Sequence, residues 1–427
     1  MRILLVGSGG VGDAFARIAA RRPFFESLVV SDYDLARAER TVAAVLAANP
    51  GEQRLSADRV DASDQDSVAA AITRAGATHV MNSVDPRFVM PIFRAAQETG
   101  VDYLDMAMSL SRPHPERPYD LTGVKLGDEQ FAASEHWERA GRLALVGIGV
   151  EPGLSNVFAR YAADHLFDHI EELGTRDGSN LTVDGYDFAP SFSIWTTIEE
   201  CLNPPVIYQR DRGWYTTEPF SEPEVFEFPG GIGPVECVHV EHEEVLMMPR
   251  WLDADRVTFK YGLGAEFIDV LKTLHLLGMD QTSPVRVKGR VAHPEPGVGQ
   301  GLSDVLVSPR DVVAACLPDP ATLGEAMHGA TCAGLYVRGT GRDGRPRQVY
   351  LSHVVDNDDS MREYGAQCVV WQTAVNPVVA LELLATGVWA GAGVLGPEAF
   401  DAVPFLDLLA AEAPTGYGSP WELREMT

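Results

Sequence analysis

Positive charge is what this sequence has least of. Lys and Arg together number 34 against 61 Asp and Glu, a formal net charge of −27. A polyanion needs a basic patch, so nucleic acid is excluded as a partner, and an anionic membrane surface is no better matched. Cysteine is scarce as well. Cys201, Cys237, Cys316, Cys332 and Cys368 are odd in number, far apart and form no CxxC pair, which removes a zinc ribbon or a redox dithiol. Thiols used this way suit a reduced, cytoplasmic protein. No uninterrupted apolar run approaches the ~20 residues of a membrane span. A first strand starting at Arg2 leaves no room for a signal peptide. A cytoplasmic protein without membrane contact is therefore expected. Signatures of other chemistries are missing too: there is no GxxxxGK(S/T) for a P-loop and no GxSxG nucleophile elbow. His165 and His169 stand four apart without forming HExxH, and His239 and His242 flank Glu241 in a strand-like run. Two ligands without a third make no metal site, so no metal is expected.

What is present has the texture of a globular chain. Its 427 residues are 45% hydrophobic, with 40 glycines and 28 prolines spread throughout, enough for at least two buried cores. The first hundred residues alternate short apolar strands (3–6, 28–30, 55–60, 80–81, 101–105) with amphipathic helices. Asp34 and Asp64 are placed to cap two of those helices, and Gly100 to end the one that starts at Pro86. This cadence gives an α/β fold with a parallel, doubly wound Rossmann sheet. Residues 111–127 are proline-rich and irregular, an active-site loop or a crossover. A helix over 128–140 and a strand over 143–148 follow. Beyond about residue 155 the period changes: apolar and polar residues alternate at 225–228 and 238–241, and 334–339 and 348–355 flank a turn at 341–344. With a helix over 264–278, this reads as a middle α+β domain with a mixed or antiparallel sheet. The last sixty residues are helical again, at 374–386, 397–402 and 405–411. The expected division is 1–127 for the nucleotide, 128–365 for substrate and dimerisation, and 366–427 for helices that return to the first domain.

The sharpest motif is Gly7-Ser8-Gly9-Gly10-Val11-Gly12, a GxGxxG that follows a strand and opens a helix. Gly7 permits the tight turn, Gly9 lets the backbone approach a pyrophosphate, and Gly12 lets helix and strand pack closely. The helix N-terminus then offers free N–H groups to the phosphates. Asp32 closes the second strand twenty residues after Gly12. A carboxylate there accepts hydrogen bonds from the adenosine ribose and repels a 2′-phosphate, and no arginine stands immediately beside it in sequence. NAD is therefore expected ahead of NADP. Asp34 competes for this role but reads as a helix cap. Asp61 and Ala62, ending the third strand, are expected near the adenine. Asn82, Ser83 and Val84, ending the fourth, are expected along the nicotinamide half, because ligands sit at the carboxyl ends of parallel strands.

The glycine turn, Asn82-Ser83-Val84-Asp85-Pro86, Gly100-Val101-Asp102-Tyr103-Leu104-Asp105 and Gly147-Ile148-Gly149-Val150-Glu151-Pro152-Gly153-Leu154-Ser155-Asn156 come in that order. Together they resemble the saccharopine dehydrogenase-like family. The run from Trp195 to Pro205 and the tail around Gly396-Pro397-Glu398 resemble it as well. The resemblance implies a nucleotide domain completed by the C-terminal helices and a middle domain that binds substrate and forms a homodimer. It implies hydride transfer between nicotinamide and a carbon bonded to nitrogen, in an amino-acid or polyamine-type substrate. Many relatives of that family that use NADP carry a small or basic residue in the place of Asp32, so the resemblance also implies NAD here. The saccharopine-type reaction stands first: a secondary amine is oxidised and the imine hydrolysed. Lysine 6-dehydrogenase and the reductive condensation of carboxynorspermidine synthase are the alternatives within the family. A non-catalytic NAD-binding sensor is the alternative from another class.

Amine oxidation calls for a general base, or for a carboxylate that stabilises an iminium cation. Asp105, at the carboxyl end of the fifth strand, and Glu151, on a loop bounded by Gly and Pro, are the two candidates. A substrate carboxylate needs a cationic partner. Lys260 is the first choice, with Arg250 and Arg256 behind it. Trp195 and Thr196 lie on the family-like segment and are expected at the substrate, where Trp195 can wall the pocket or pack an ammonium group. Asn203, before two prolines, is a substrate contact or a helix cap.

Overall fold

The computed structural model describes residues 1–291 and 301–426. The chain opens with β1 (Arg2–Val6), α1 (Gly10–Ala20), β2 (Ser27–Asp32), α2 (Leu35–Ala48), β3 (Leu55–Arg59), α3 (Gln65–Ala75), β4 (His79–Asn82), α4 (Val89–Thr99) and β5 (Asp102–Asp105). Ile3 to Val6 are all buried, so β1 is a central strand without a polar face. Asp34 and Asp64 cap as expected, accepting from the backbone N–H of Ala36 at 3.1 Å and Asp66 at 3.0 Å. Two short helices follow, α5 (Asp128–Phe131) and α6 (Ser134–Arg139), where one helix over 128–140 was expected; then come β6 (Leu143–Leu145), α7 (Leu154–His165) and β7 (Phe167–Ser179). His165 thus ends a helix while His169 lies on a strand, and the two do not share a helix face.

The middle of the chain contributes β8 (Thr182–Val183), α8 (Ile194–Leu202), β9 (Val206–Gln209), β10 (Gly213–Thr216), β11 (Glu224–Phe228), β12 (Gly233–His239), α9 (Glu244–Trp251), β13 (Ala254–Gly262), α10 (Ala265–Leu276), β14 (Val285–Val291), β15 (Gly301–Val307) and α11 (Pro309–Cys316). The chain ends with β16 (Met327–His328), β17 (Ala330–Gly341), β18 (Pro346–Asp356), α12 (Asn357–Tyr364), α13 (Cys368–Ala385), β19 (Gly393–Leu395), α14 (Ala402–Ala410) and β20 (Glu422–Glu425).

Two large sheets organise these elements. The first has seven parallel strands in the order β19-β6-β5-β4-β1-β2-β3. Chain order reverses at β1, which has β2 on one side and β4 on the other, so a crevice opens at their carboxyl ends. Leu143–Leu145 and Gly393–Leu395 lie in this sheet, which therefore reaches beyond the segment 1–127. The second sheet runs β10-β9-β13-β7-β17-β18-β20, with β12 attached to β13 and β11 to β12. β7 pairs parallel with β13 and antiparallel with β17, which makes it a mixed sheet. The expected hairpin is the β17–β18 pair. The strand expected to reach residue 241 stops at His239, and the chain turns into α9.

The C-terminal helices return to the first domain. Arg22, just past α1, holds the Glu382 carboxylate of α13 through Nε at 2.8 Å and Nη2 at 2.6 Å. Tyr417 donates to the same carboxylate at 2.7 Å. α13 begins six residues before the expected 374, capped by Gln367, which accepts from Val369 N at 2.8 Å. Among the described residues it is the one helix long and apolar enough to cross a membrane, yet 78% of it is buried in the core. Its Gln372 donates to the carbonyl of His353 at 2.8 Å, an interior contact.

Candidate active site

The glycine turn shapes the outer part of the crevice. Gly7 has φ +98°, and a Cβ there would meet Val84 Cγ1 at 2.6 Å. A Cβ on Gly12 would meet the Gly7 carbonyl oxygen at 2.1 Å, so α1 packs on the turn at a distance only glycine allows. Gly9 faces open space. Beside it lies a cavity of about 880 Å³, lined by Gly7, Ser8, Gly9, Gly10, Asp32, Asp61, Ala62, Ser83 and Val84 among others. Asp32 is buried and oriented from both sides: its Oδ2 accepts from Ser8 N and its Oδ1 from Asp34 N, both at 3.0 Å. Asp34 itself caps α2. This open glycine backbone, helix N-terminus and anchored carboxylate fit a dinucleotide. One feature departs from the sequence reading. Arg37, five residues after Asp32 in the first turn of α2, comes within 3.7 Å of its Oδ2, and Arg37 and Arg40 both line the cavity.

Deeper in the crevice, a second cavity of about 520 Å³ lies between the two sheets. Gly9, Gly10, Val11, Asn82, Ser83 and Val84 close it on the nucleotide side; α8 contributes Trp195, Thr196 and Glu200. Asn82 is fixed by donating to the Tyr103 hydroxyl at 3.0 Å. Seven carboxyls line this cavity: Asp85, Asp105, Glu151, Asp177, Glu200, Glu243 and Asp319. No Lys or Arg lines it among the described residues. Asp105 is fully enclosed, accepting from Gly147 N and Gln130 Nε2, each at 2.7 Å. Burial pushes its pKa up to about 7 against those hydrogen bonds. Glu151 Oε1 accepts from Ser155 Oγ at 2.6 Å and Gly334 N at 3.2 Å, while its buried Oε2 has no partner. Burial, and then the facing Asp177 carboxylate, hold Glu151 well above the usual carboxylate range. Burial raises Asp177 to about 6 and Glu200 to about 8.

One cation sits among these acids. His242 stacks on Phe259 with ring centroids 3.8 Å apart, and its Nδ1 meets Glu244 Oε2 at 2.5 Å. Burial opposes its charge, but Glu244 and the other acids raise it to about 10. His242, Glu243 and Glu244 are close enough together to hold a metal ion. Held against Glu244, His242 places a positive charge among the acids of the cavity.

The sequence candidates divide in space. Asp105, Glu151, Trp195 and Thr196 line the inner cavity. Lys260 does not: its Nζ pairs with Glu224 Oε2 at 3.0 Å in a separate cavity beside Arg176 and Arg256. Its neighbour Tyr261 faces the inner cavity instead, because successive strand residues point to opposite faces. Arg256 pairs with Glu222 at 2.7 Å, and Arg250 lies over the Phe131 ring, away from the cavity. Asn203 ends α8 and donates to Glu199 Oε1 and Glu241 Oε2, both at 3.0 Å. Sequence reasoning assigned no role to Asp177, Glu200 or Glu243 and weighed His242 only as a metal ligand. Glu200 lies in the family-like run from Trp195 to Pro205, and the dense acidic run from Glu241 to Glu244 surrounds His242.

The chain matches two known domains end to end. Residues 3–145 match the saccharopine dehydrogenase NADP binding domain, and residues 149–413 match the saccharopine dehydrogenase C-terminal domain. It is 28% identical over 432 residues to a carboxynorspermidine synthase of Vibrio alginolyticus, covering 100% of this chain and 97% of the relative. It is 27% identical over 421 residues to a carboxyaminopropylagmatine dehydrogenase of Synechocystis sp., covering 98% and 96%. Among solved structures, saccharopine dehydrogenase (L-Glu forming) from Saccharomyces cerevisiae shares the fold, with a TM-score of 0.67 at 15% identity, over 100% of this chain and 99% of that one.

Proposed function

The chain belongs to the saccharopine dehydrogenase family, an NAD(P)-binding group of oxidoreductases, and on that footing we propose that it acts on the CH–NH bond of a carboxylated polyamine. In the reductive direction a primary amine condenses with an aldehyde, water leaves, and the imine becomes a secondary amine. The observation that carries this reading is the inner cavity, with seven carboxyls and neither Lys nor Arg. A saccharopine-type substrate carries several carboxylates of its own. Each would meet about 3 kcal/mol of repulsion from an ionised acid ~6 Å away, at an effective dielectric of ~20. A polyamine instead supplies the missing positive charges. Both full-length relatives are named for carboxylated amines of this kind, which supports the same choice.

When bound, the nicotinamide nucleotide supplies or accepts the hydride. Gly7 to Gly12 cradle its phosphates, Asp32 holds the adenosine ribose and favours NAD, Asp61 and Ala62 lie toward the adenine, and Asn82 to Val84 border the nicotinamide. Asp105, poised near neutrality, exchanges a proton with the reacting nitrogen or its water; Glu151, with its unpartnered oxygen, is the alternative. Glu200 and Asp177 hold the remote ammonium. Trp195 and Thr196 wall the amine. A homodimer through the middle domain belongs to the same reading; sedimentation showing only a single copy would remove it. The test of the amine site is Glu200→Gln. It should raise KM for a diamine roughly tenfold, the worth of one charged contact, and leave KM for the carboxylated aldehyde unchanged. Equal KM values for wild type and variant would refute the assignment.

A further inference from the structure

The proposed substrate needs a carboxylate partner; the inner cavity has no Lys or Arg among the described residues, and its one cation, His242, is already held by Glu244. Across Trp195 the lining changes sign. A neighbouring cavity of about 780 Å³ shares Pro86 and Trp195 with the inner one, and Arg87, Arg94, Arg112 and Arg310 line it. Three acids line it too, each paired with an arginine: Glu129 with Arg94, Glu199 with Arg310, and Asp311 with Arg87 at 3.4 Å, while Arg87 also holds Asp85 at 2.8 Å. Two guanidiniums pack against the Trp195 indole, Arg87 at 4.3 Å and Arg310 at 4.7 Å from the ring centroid. Its Nε1 donates to Asp311 at 3.1 Å, which fixes the ring plane. Arg310 is buried and held by the Asp280 carbonyl at 2.7 Å and by the Glu199 carboxylate. Arg112 is exposed and has no carboxylate within ion-pair distance among the described residues. The same cavity is lined by Ser109, which is 4% exposed and whose buried Oγ has no hydrogen-bond partner. An unpartnered buried hydroxyl in an arginine-lined hollow is a donor waiting for an acceptor.

We propose that this cavity is the carboxylate subsite, taking a small aldehyde that bears a carboxylate while the amine enters the acidic cavity on the other side of Trp195. The inference rests on the polyamine reading and adds to it the place of the second substrate. The two halves of the product are thereby sorted by charge, with the new C–N bond forming where the cavities meet at Trp195. The balance is that of an imine reduction. The amine nitrogen attacks the aldehyde carbon, the carbonyl oxygen leaves as water, and NAD(P)H gives a hydride to the imine carbon as a proton joins the nitrogen. Arg112 and Arg310 contribute charge-assisted donors to the carboxylate, Ser109 a hydroxyl, and Arg87 holds the Trp195 face.

The experiment measures steady-state kinetics of NAD(P)H oxidation with a diamine and a carboxylated aldehyde, each varied in turn. Arg112→Gln, at an exposed position, should raise KM for the aldehyde at least tenfold and leave KM for the diamine unchanged. Arg310→Lys, which keeps a charge beside Glu199, tests the buried donor, and Ser109→Ala should raise the same KM severalfold. Replacing the aldehyde by an analogue without its carboxylate should abolish the difference between wild type and Arg112→Gln. Unchanged aldehyde KM in both arginine variants, or equal rises for both substrates, would overturn the subsite. No turnover of the wild type with any diamine would instead overturn the polyamine reading on which it rests.

Discussion

Raising the pH from 6 to 8 should destabilise the ligand-free protein, and a diamine should reverse the loss. Asp105 and Glu200 have pKa values pushed up by burial to about 7 and about 8. In the unfolded chain both acids lose their protons well below pH 6. Through this window the folded form therefore binds more protons than the unfolded one, and stability falls as pH rises. The cost is about 1.4 kcal/mol for Asp105. For Glu200 it is about 1 kcal/mol once the solvent that reaches it is allowed for. Burial also raises Glu241, to about 8, which adds in the same direction. His242 does so too: above its ordinary 6.5 the unfolded imidazole is neutral, while the folded one keeps its proton up to about 10. For a chain of this length an entropy of unfolding near 0.9 kcal/mol/K turns a few kcal/mol into a Tm about 3 °C lower at pH 8. Differential scanning calorimetry measures it directly. A diamine at a hundred times its Kd adds about 2.7 kcal/mol, with more of the effect at pH 8, where the acids are ionised. A Tm that climbs from pH 6 to 8, or a diamine no more protective than sodium chloride of equal ionic strength, would refute the reasoning.

Asp32→Ala should weaken NAD by about 10–100-fold, the loss of charged hydrogen bonds to the ribose, and NADP much less, since Arg37 is released from its 3.7 Å contact with Asp32. An unchanged NAD to NADP affinity ratio by titration calorimetry would contradict this. Asp105→Asn should lower kcat by about 10²-fold or more and erase the limb of the pH–rate profile near 7, with nucleotide affinity preserved. The same variant should lose about 1–3 kcal/mol of stability, because one amide oxygen cannot accept from both Gly147 N and Gln130 Nε2. Normal turnover with the original profile would leave Glu151 as the acid–base group.

The nucleotide half was legible because its constraints are local. The turn at Gly7, the close packing at Gly12 and the caps at Asp34 and Asp64 each follow from a few adjacent residues. The start of α13 was not legible. It is buried nearly all round from Cys368 onward, so it shows no amphipathic period to count. Lys260 misled for a related reason. Alternation along β13 says that Lys260 and Tyr261 face opposite ways, and only the second sheet's neighbours say which way the cavity lies. The acidic cavity was least legible, since Asp105, Glu151, Asp177, Glu200 and Glu243 come from separate elements spread over more than a hundred residues. Arg37 shows the same limit at closer range: one helical turn brings it to Asp32 although the sequence sets it apart.

The most direct test of the central claim is a comparison of kcat/KM for NAD(P)H formation with a carboxylated polyamine and with saccharopine, at pH 8 and equal ionic strength. The charge of the inner cavity predicts turnover of the carboxylated polyamine and at least a hundredfold preference over saccharopine. A preference for saccharopine, or equal rates for both, would contradict a cavity built to hold an amine by its positive charge.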